Sequence, residues 1–236
     1  IELVRRLALP TGTYTAVLDA GGEMAVAVAD MAATDALGPA DIEAAHALLT
    51  DAGLVVVDAN LAPATLAAAL DLATAAGVPV VLDPVSVPKA RRVTPLLDGR
   101  AVHTVTPNVA ELAALTGAAT DSAAEVLDAA RSLLARGVAH VWVRLGPAGS
   151  LLVSAEAEPL ALARVDGPVA DVTGAGDAML AAYCHVLLAG GSPADAAAFG
   201  QAAAALTVAV PETVRHDLTA ALVTATLGHP LPERTP

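Results

Sequence analysis

The stretch of this chain best suited to chemistry is Asp171-Val172-Thr173-Gly174-Ala175-Gly176-Asp177. It follows an extended run, 165–170, and opens an apolar helix, 178–189, that stops at Gly190-Gly191. A loop of small residues feeding a helix N-terminus gathers unpaired backbone N–H groups at one point. The aligned peptide dipoles add about half a positive charge there. Such a place receives an anion, a phosphate or a developing oxyanion. Asp177 has two readings. Either it caps the helix while the glycines merely make the turn, or it is a base beside the anion, taking a proton from an attacking hydroxyl.

Two further stretches carry polar groups at strand ends. In Thr106-Pro107-Asn108-Val109-Ala110-Glu111-Leu112, Pro107 keeps Thr106 extended and Asn108 is a good helix N-cap. Asn108 and Glu111, three apart, share one face of the first turn. The pair suits a hydrated magnesium ion, and equally an ordinary capping box. In Leu82-Asp83-Pro84-Val85-Ser86, Asp83 ends a buried strand at the edge where ligands of open α/β sheets bind. Lys89, the only lysine, follows it: a solvated surface side chain, or a hand for a phosphate or a carbonyl.

The elements that must position these residues alternate along the chain. Thr13 to Leu18 and 23–30, joined by a turn at Asp19-Ala20-Gly21-Gly22, read as a β-hairpin. Strands are expected at 54–58, 78–83, 102–106, 140–144, 151–154 and 160–164. Helices are expected at 39–49, 63–77, 108–117, 122–136, 178–189 and 193–208. Runs apolar on both faces, alternating with helices, indicate a mainly parallel sheet covered by helices, with the late strand pair antiparallel.

Composition bounds the rest. A chain of 236 residues suffices for one α/β domain. Only 2% of its residues are aromatic, so the core is aliphatic. The net charge of −13 argues against nucleic acid and anionic membranes as partners. The single cysteine, Cys184, lies in an apolar helical run and reads as an inert buried thiol. No disulfide, signal peptide or membrane span is indicated, which implies a cytoplasmic protein.

The heptapeptide D-x-T-G-A-G-D resembles the C-terminal signature of the ribokinase-like (PfkB) family of sugar and nucleoside kinases. N-x-x-E after a strand is similar to that family's magnesium and phosphate-positioning motif. Arg144-Leu145-Gly146-Pro147-Ala148-Gly149 resembles its T-x-G-x-x-G turn beside the nucleotide, with Arg144 in place of the commoner Thr. Arg144 then either reaches an ATP phosphate or faces solvent, and Gly146 and Gly149 are equally explained as turn residues. The hairpin, with Thr13 and Tyr14, and the segment Asp83-Pro84-Val85-Ser86 with Lys89 look most like the pseudouridine kinase branch.

This resemblance implies a three-layer α/β/α fold, with residues 1–33 part of a small β-lid and 34–236 the kinase domain lacking its N-terminal strands. It implies ATP-dependent phosphorylation of the 5′-hydroxyl of pseudouridine; ribose, fructose and purine nucleosides are the alternative acceptors. Asp177 would be the base, and the amides of Gly174, Ala175 and Gly176 would hold the transferring group. Asn108 and Glu111 would hold magnesium through water. Asp171 and the Thr173 carbonyl would hold a monovalent cation such as K+. Adenine would lie near Gln201, while Thr13, Tyr14, Asp83 and Lys89 would meet the substrate. The lid would also mediate a homodimer. The chain starts at Ile1 on what reads as mid-domain sequence, so an upstream portion is expected, and a non-enzymatic binding or oligomerising fragment is the third reading.

Overall fold

The computed structural model describes residues 4–18 and 24–228. The expected hairpin turn at Asp19-Ala20-Gly21-Gly22 lies outside them. Eight strands are described: β1 (Thr13–Leu18), β2 (Met24–Asp30), β3 (Val55–Asp58), β4 (Val80–Asp83), β5 (Val102–Val105), β6 (Val138–Arg144), β7 (Ser150–Ser154) and β8 (Ala157–Leu162). The helices before β4 are α1 (Ala32–Asp35), α2 (Pro39–Ala44), α3 (His46–Thr50) and α4 (Pro63–Ala76). After it come α5 (Val87–Val93), α6 (Val109–Thr116), α7 (Ala123–Leu134), α8 (Ala175–Leu188), α9 (Pro193–Val208) and α10 (Ala220–Leu227).

The main sheet has the order β3-β4-β5-β6-β7-β8. Its first four strands are parallel, and β7 and β8 complete it antiparallel. Sequential parallel strands joined by right-handed crossovers put the intervening helices on one face. Side chains of α4 to α7 pack there with Val55, Val80, Leu82, Val141 and Val143. The opposite face, from Val81, Trp142 and Leu152, is covered by α8, α9 and α10. The result is the helix-covered, mainly parallel sheet expected from the alternation and the three layers implied by the resemblance, with β1 and β2 paired apart as a separate antiparallel sheet.

The second layer is held by the few aromatic residues. Trp142 stacks on Tyr183 of α8 with centroids 5.0 Å apart. The indole N–H donates to Ser150 Oγ at 2.9 Å, and the Tyr183 hydroxyl meets Thr104 Oγ1 at 3.0 Å. Gly200 lets α9 close on this pair: a Cβ there would lie 2.4 Å from the Trp142 ring. The sheet, α8 and α9 are thereby locked in the register that brings the α8 N-terminus over the strand ends. Among the described residues β3 forms one edge of the sheet, and Val56 on it is 51% exposed.

Candidate active site

Strands β3, β4 and β6 end at Asp58, Asp83 and Arg144, and the N-terminus of α8 faces these ends across a cavity of about 1140 Å³. This is where a doubly covered α/β sheet offers its ligands backbone and side-chain groups together. Asp177 sits in the first turn of α8 on the cavity wall. Burial pushes its carboxyl above the usual aspartate value; the charges of Asp83 and Asp58 push it the same way and Arg144 opposes them.

The loop before α8 is shaped for a guest. Gly174 is the N-cap at φ 81°, and a Cβ on it would meet the Thr213 carbonyl oxygen at 2.1 Å, so only glycine fits. The Ala175 amide makes a long 3.3 Å contact with the Val172 carbonyl. Among the described residues no acceptor faces the amides of Gly174, Gly176 and Asp177. Gly176 and Asp177 line the cavity and Gly174 does not, so the unsatisfied donors of this helix start that open on it, which suit an anion, are those of the first turn of α8.

Asp83, 8% exposed, is fully engaged. One oxygen accepts the Val85 amide at 2.7 Å; the other accepts the Thr106 hydroxyl at 3.0 Å and lies 3.3 Å from Arg144 Nη1. The turn that returns Val85 to Asp83 puts Val85 at φ 66°, the left-handed region that a β-branched residue avoids. Backbone strain at the cavity wall thus serves to fix this carboxylate.

Asn108 and Glu111 form the capping box that their spacing allowed. The Glu111 amide donates to Asn108 Oδ1 at 2.9 Å, and the Asn108 amide donates to Glu111 Oε2 at 2.8 Å. The same Glu111 oxygen takes Arg144 Nη2 at 3.0 Å. The magnesium expected at this pair was to be held through water. Asp83 Oδ2 and Glu111 Oε2 already share the Arg144 guanidinium, and among the described residues no cluster of three or more acidic, His or Cys groups could bind a metal directly. Asn108 and Glu111 would therefore meet a magnesium ion only through water, as expected of them, and not as direct ligands. The Arg144 side chain does not face solvent: it is 20% exposed and wedged among Asp83, Glu111 and Gly176.

The cavity wall also includes Gly146, Gly149 and Gln201. Gly149 is required by the backbone itself, since a Cβ would lie 2.0 Å from the Leu162 carbonyl oxygen. Gln201 Nε2 donates to the Ala163 carbonyl at 3.2 Å, which ties α9 to the end of β8. Thr13 and Tyr14 are exposed on β1 and are not among the lining residues; Met31 and Thr34, which follow the hairpin, are. Asp171 accepts the Thr173 amide at 2.8 Å, a local turn that holds its carboxyl below the ordinary value.

Asp58 and Asn60 also line the cavity and escaped the sequence reading as site residues. Asp58 Oδ1 accepts the Asn60 amide and Oδ2 its side-chain N–H, both at 2.8 Å, and the Lys89 ammonium donates to Asn60 Oδ1. Lys89 thus stands behind the wall and acts through Asn60. The signal was present: Asp58 ends a buried strand as Asp83 does.

Comparison with known proteins gives one result at the level of family. Residues 3–219 match the model of the pfkB family carbohydrate kinases. Pseudouridine kinase of Escherichia coli is 32% identical over 214 residues, covering 90% of this chain and 67% of that protein. Ribokinase of Arabidopsis thaliana is 30% identical over 206 residues, covering 85% of this chain and 52% of that protein. The structure of Arabidopsis thaliana ribokinase complexed with ribose and ATP superposes with a TM-score of 0.79 at 27% identity, over 92% of this chain and 67% of that one. Ribokinase of Thermotoga maritima gives 0.75 at 25% identity, over 95% and 72%.

Proposed function

The chain belongs to the pfkB family of carbohydrate kinases, and from that premise we propose that it transfers the γ-phosphoryl group of ATP to the 5′-hydroxyl of a nucleoside, pseudouridine being the acceptor favoured. The observation that carries this is Asp177, a carboxylate open to the cavity beside the amides of Gly176 and Asp177, which among the described residues have no internal acceptor, and that of Ala175, whose one contact is long. Asp177 takes the hydroxyl proton, and the oxygen attacks the γ-phosphorus in line as the bond to the ADP oxygen breaks. The amides of Gly174, Ala175 and Gly176 carry the charge that spreads over the moving phosphoryl group. The raised affinity of Asp177 for a proton suits a base better than an ordinary aspartate would.

The acceptor would lie toward Asp58 and Asn60, under Met31 and Thr34, and the adenine toward Gln201. The hairpin, with Val17, Val26 and Val28 more than half exposed, suits a cover over the acceptor and a contact with a second copy. The overlap with a ribokinase structure supports a free sugar as the second acceptor class. The chain spans 67% of one curated relative and 52% of another. Together with the exposed Val56 edge, this keeps a nucleotide-binding fragment without turnover as the alternative outside catalysis.

The test is ADP release from ATP with pseudouridine, uridine, ribose, fructose and adenosine in parallel. Pseudouridine is expected to turn over fastest. Asp177→Asn should lower turnover by about 10²- to 10⁴-fold with ATP affinity nearly unchanged. A carboxyl raised in the fold contributes stability only at low pH, and loses it as pH rises through its folded value. At pH 7 its charge is a cost, so the Asn variant should melt no lower than the parent. Full turnover by Asp177→Asn removes Asp177 from this role.

A further inference from the structure

Arg144 stands at the end of β6 with its backbone held on both sides. Its amide donates to the Pro107 carbonyl at 2.8 Å, and it bridges to Asn108 in parallel register. Its side chain enters the cavity wall between the Asp83 and Glu111 carboxylates, which are 12% and 4% exposed. A guanidinium offers five N–H donors in a fixed fork. The Nη1 and Nη2 groups meet the carboxylates, while Nε is buried with no partner among the described residues.

Arg144 also touches the anion loop. A Cβ on Gly176 would lie 2.7 Å from Arg144 Nη1, so the guanidinium rests directly against the helix turn whose amides are unsatisfied. Gly176 is not in a left-handed conformation and would suit alanine by helix propensity. The space it leaves is used by Arg144. Two sets of donors, peptide amides and a guanidinium, therefore converge on one point of the cavity. A side chain that served only to neutralise Asp83 and Glu111 would not need to reach the loop.

Resting on the kinase reading above, we propose that Arg144 is a catalytic residue that contacts the terminal phosphate of the nucleotide, with Asp83 and Glu111 as the fixed counter-charges that aim it. The carboxylates hold two corners of the fork, and Nη1, the corner on Asp83, is also the one that lies against the Gly176 turn. A planar fork suits a phosphate as a point-charge lysine does not. Arg144 also opposes the effect of Asp83 and Asp58 on Asp177, so the same charge that receives the phosphoryl group favours the ionised form of the base.

The test compares the affinities of the intact chain for ATP, ADP and AMP by calorimetry, beside turnover of the favoured acceptor. The variants are Arg144→Gln and Arg144→Lys, the latter keeping a positive charge against both acids so that the fold is retained. A contact to a charged group is worth roughly 10- to 100-fold in affinity. Arg144→Gln should lose about that much for ATP with AMP nearly unchanged, and Arg144→Lys should recover only part of it. A purely structural arginine would lower the melting temperature while leaving the ratio of ATP to AMP affinity as in the parent; that result overturns the proposal. If the parent binds no nucleotide, the proposal and the kinase reading fail together. If the parent phosphorylates an acceptor and Arg144→Gln matches it in ATP affinity, only the proposal fails. If the ratio falls as expected but no acceptor is phosphorylated, the Arg144 contact stands and the catalytic reading fails.

Discussion

His103 and His140 offer a measurable pH response away from the cavity. They lie on adjacent strands with ring centroids 4.7 Å apart. Burial drives the His140 imidazolium value down from 6.5 to about 4, with the charge of His103 adding to the effect, and burial lowers His103 as well. His140 Nδ1 meets Ser154 Oγ at 2.7 Å, and His103 Nδ1 meets Thr104 Oγ1 at 2.8 Å. A base whose folded value is depressed contributes stability above its unfolded value and loses it as pH falls toward the folded one. The window is therefore pH 6.5 down to about 4. At pH 5 the full shift corresponds to roughly 2 kcal/mol. His140 is only half-buried, so solvent screening reduces this to about 1 kcal/mol. For a domain of this size that is about 2–4 °C in melting temperature. The assay is thermal melting at pH 7 and pH 5 of the parent and His140→Asn, which stays neutral and keeps a partner for Ser154. Carboxylate titration acts on both proteins alike, so the difference between them isolates the histidine. The parent should lose about 2–4 °C more than the variant between the two pH values. Equal losses would show that the imidazole is as easily protonated in the fold as outside it.

Two further substitutions probe the framework of the site. Gly200→Ala would drive a methyl into the Trp142 ring and to 2.9 Å from the Met179 carbonyl, and should cost about 1–3 kcal/mol by melting. Gly167→Ala, with nothing near its Cβ, should be close to neutral; equal effects would refute the packing account. At Glu111, Ala removes both the cap and the counter-charge of Arg144 and should cost about 3–5 kcal/mol. Gln keeps a capping group and should recover at least about 1 kcal/mol of that loss, and a Gln variant as unstable as the Ala variant would mean that the cap contributes nothing.

The parallel strands, the hairpin and the anion loop were legible because each rests on local chemistry. Glycines at 174 and 176 announce a turn that α8 continues, and apolar runs closed by Asp58 and Asp83 announce buried strands. Helices α5 and α10 were missed although Ser86 with the proline after Val87, and Thr219 with Gly228, mark their ends. Both are short, and short helices draw their stability from packing that spacing does not display. The site divides in the same way. Asp177 and Glu111 could be found from their distance to a helix start. Arg144 could be placed beside the nucleotide turn, but not between Asp83 and Glu111. Those two acids lie on elements that only the sheet order brings together, and only coordinates reveal that the side chain fills the space left by Gly176.

The proposed reaction asks an acidic chain to receive a polyphosphate, which poses a physical problem, and the arrangement around Arg144 suits an answer to it. Acidic residues outnumber Lys and Arg by 25 to 12. Charges farther than about 8–10 Å from a solvated ligand are largely screened at physiological salt. What decides binding is then the composition of the wall itself. There Arg144 and Arg164 contribute cations, while Asp58, Asp83, Glu111 and Asp177 contribute acids. Arg144 with Asp83 and Glu111 is still net negative, so point charge alone cannot attract the phosphate. The amides at the start of α8 must supply the balance, since they carry dipole without carrying a titratable charge. The acids have a positive use in return. A guanidinium free to rotate would find its own best partner, whereas one pinned by two buried carboxylates can present its remaining donors in only one direction. On the proposed reading, the acidity of the cleft is thus the means by which a single arginine is aimed, and a net negative charge on the chain is compatible with an anion enclosed by peptide groups.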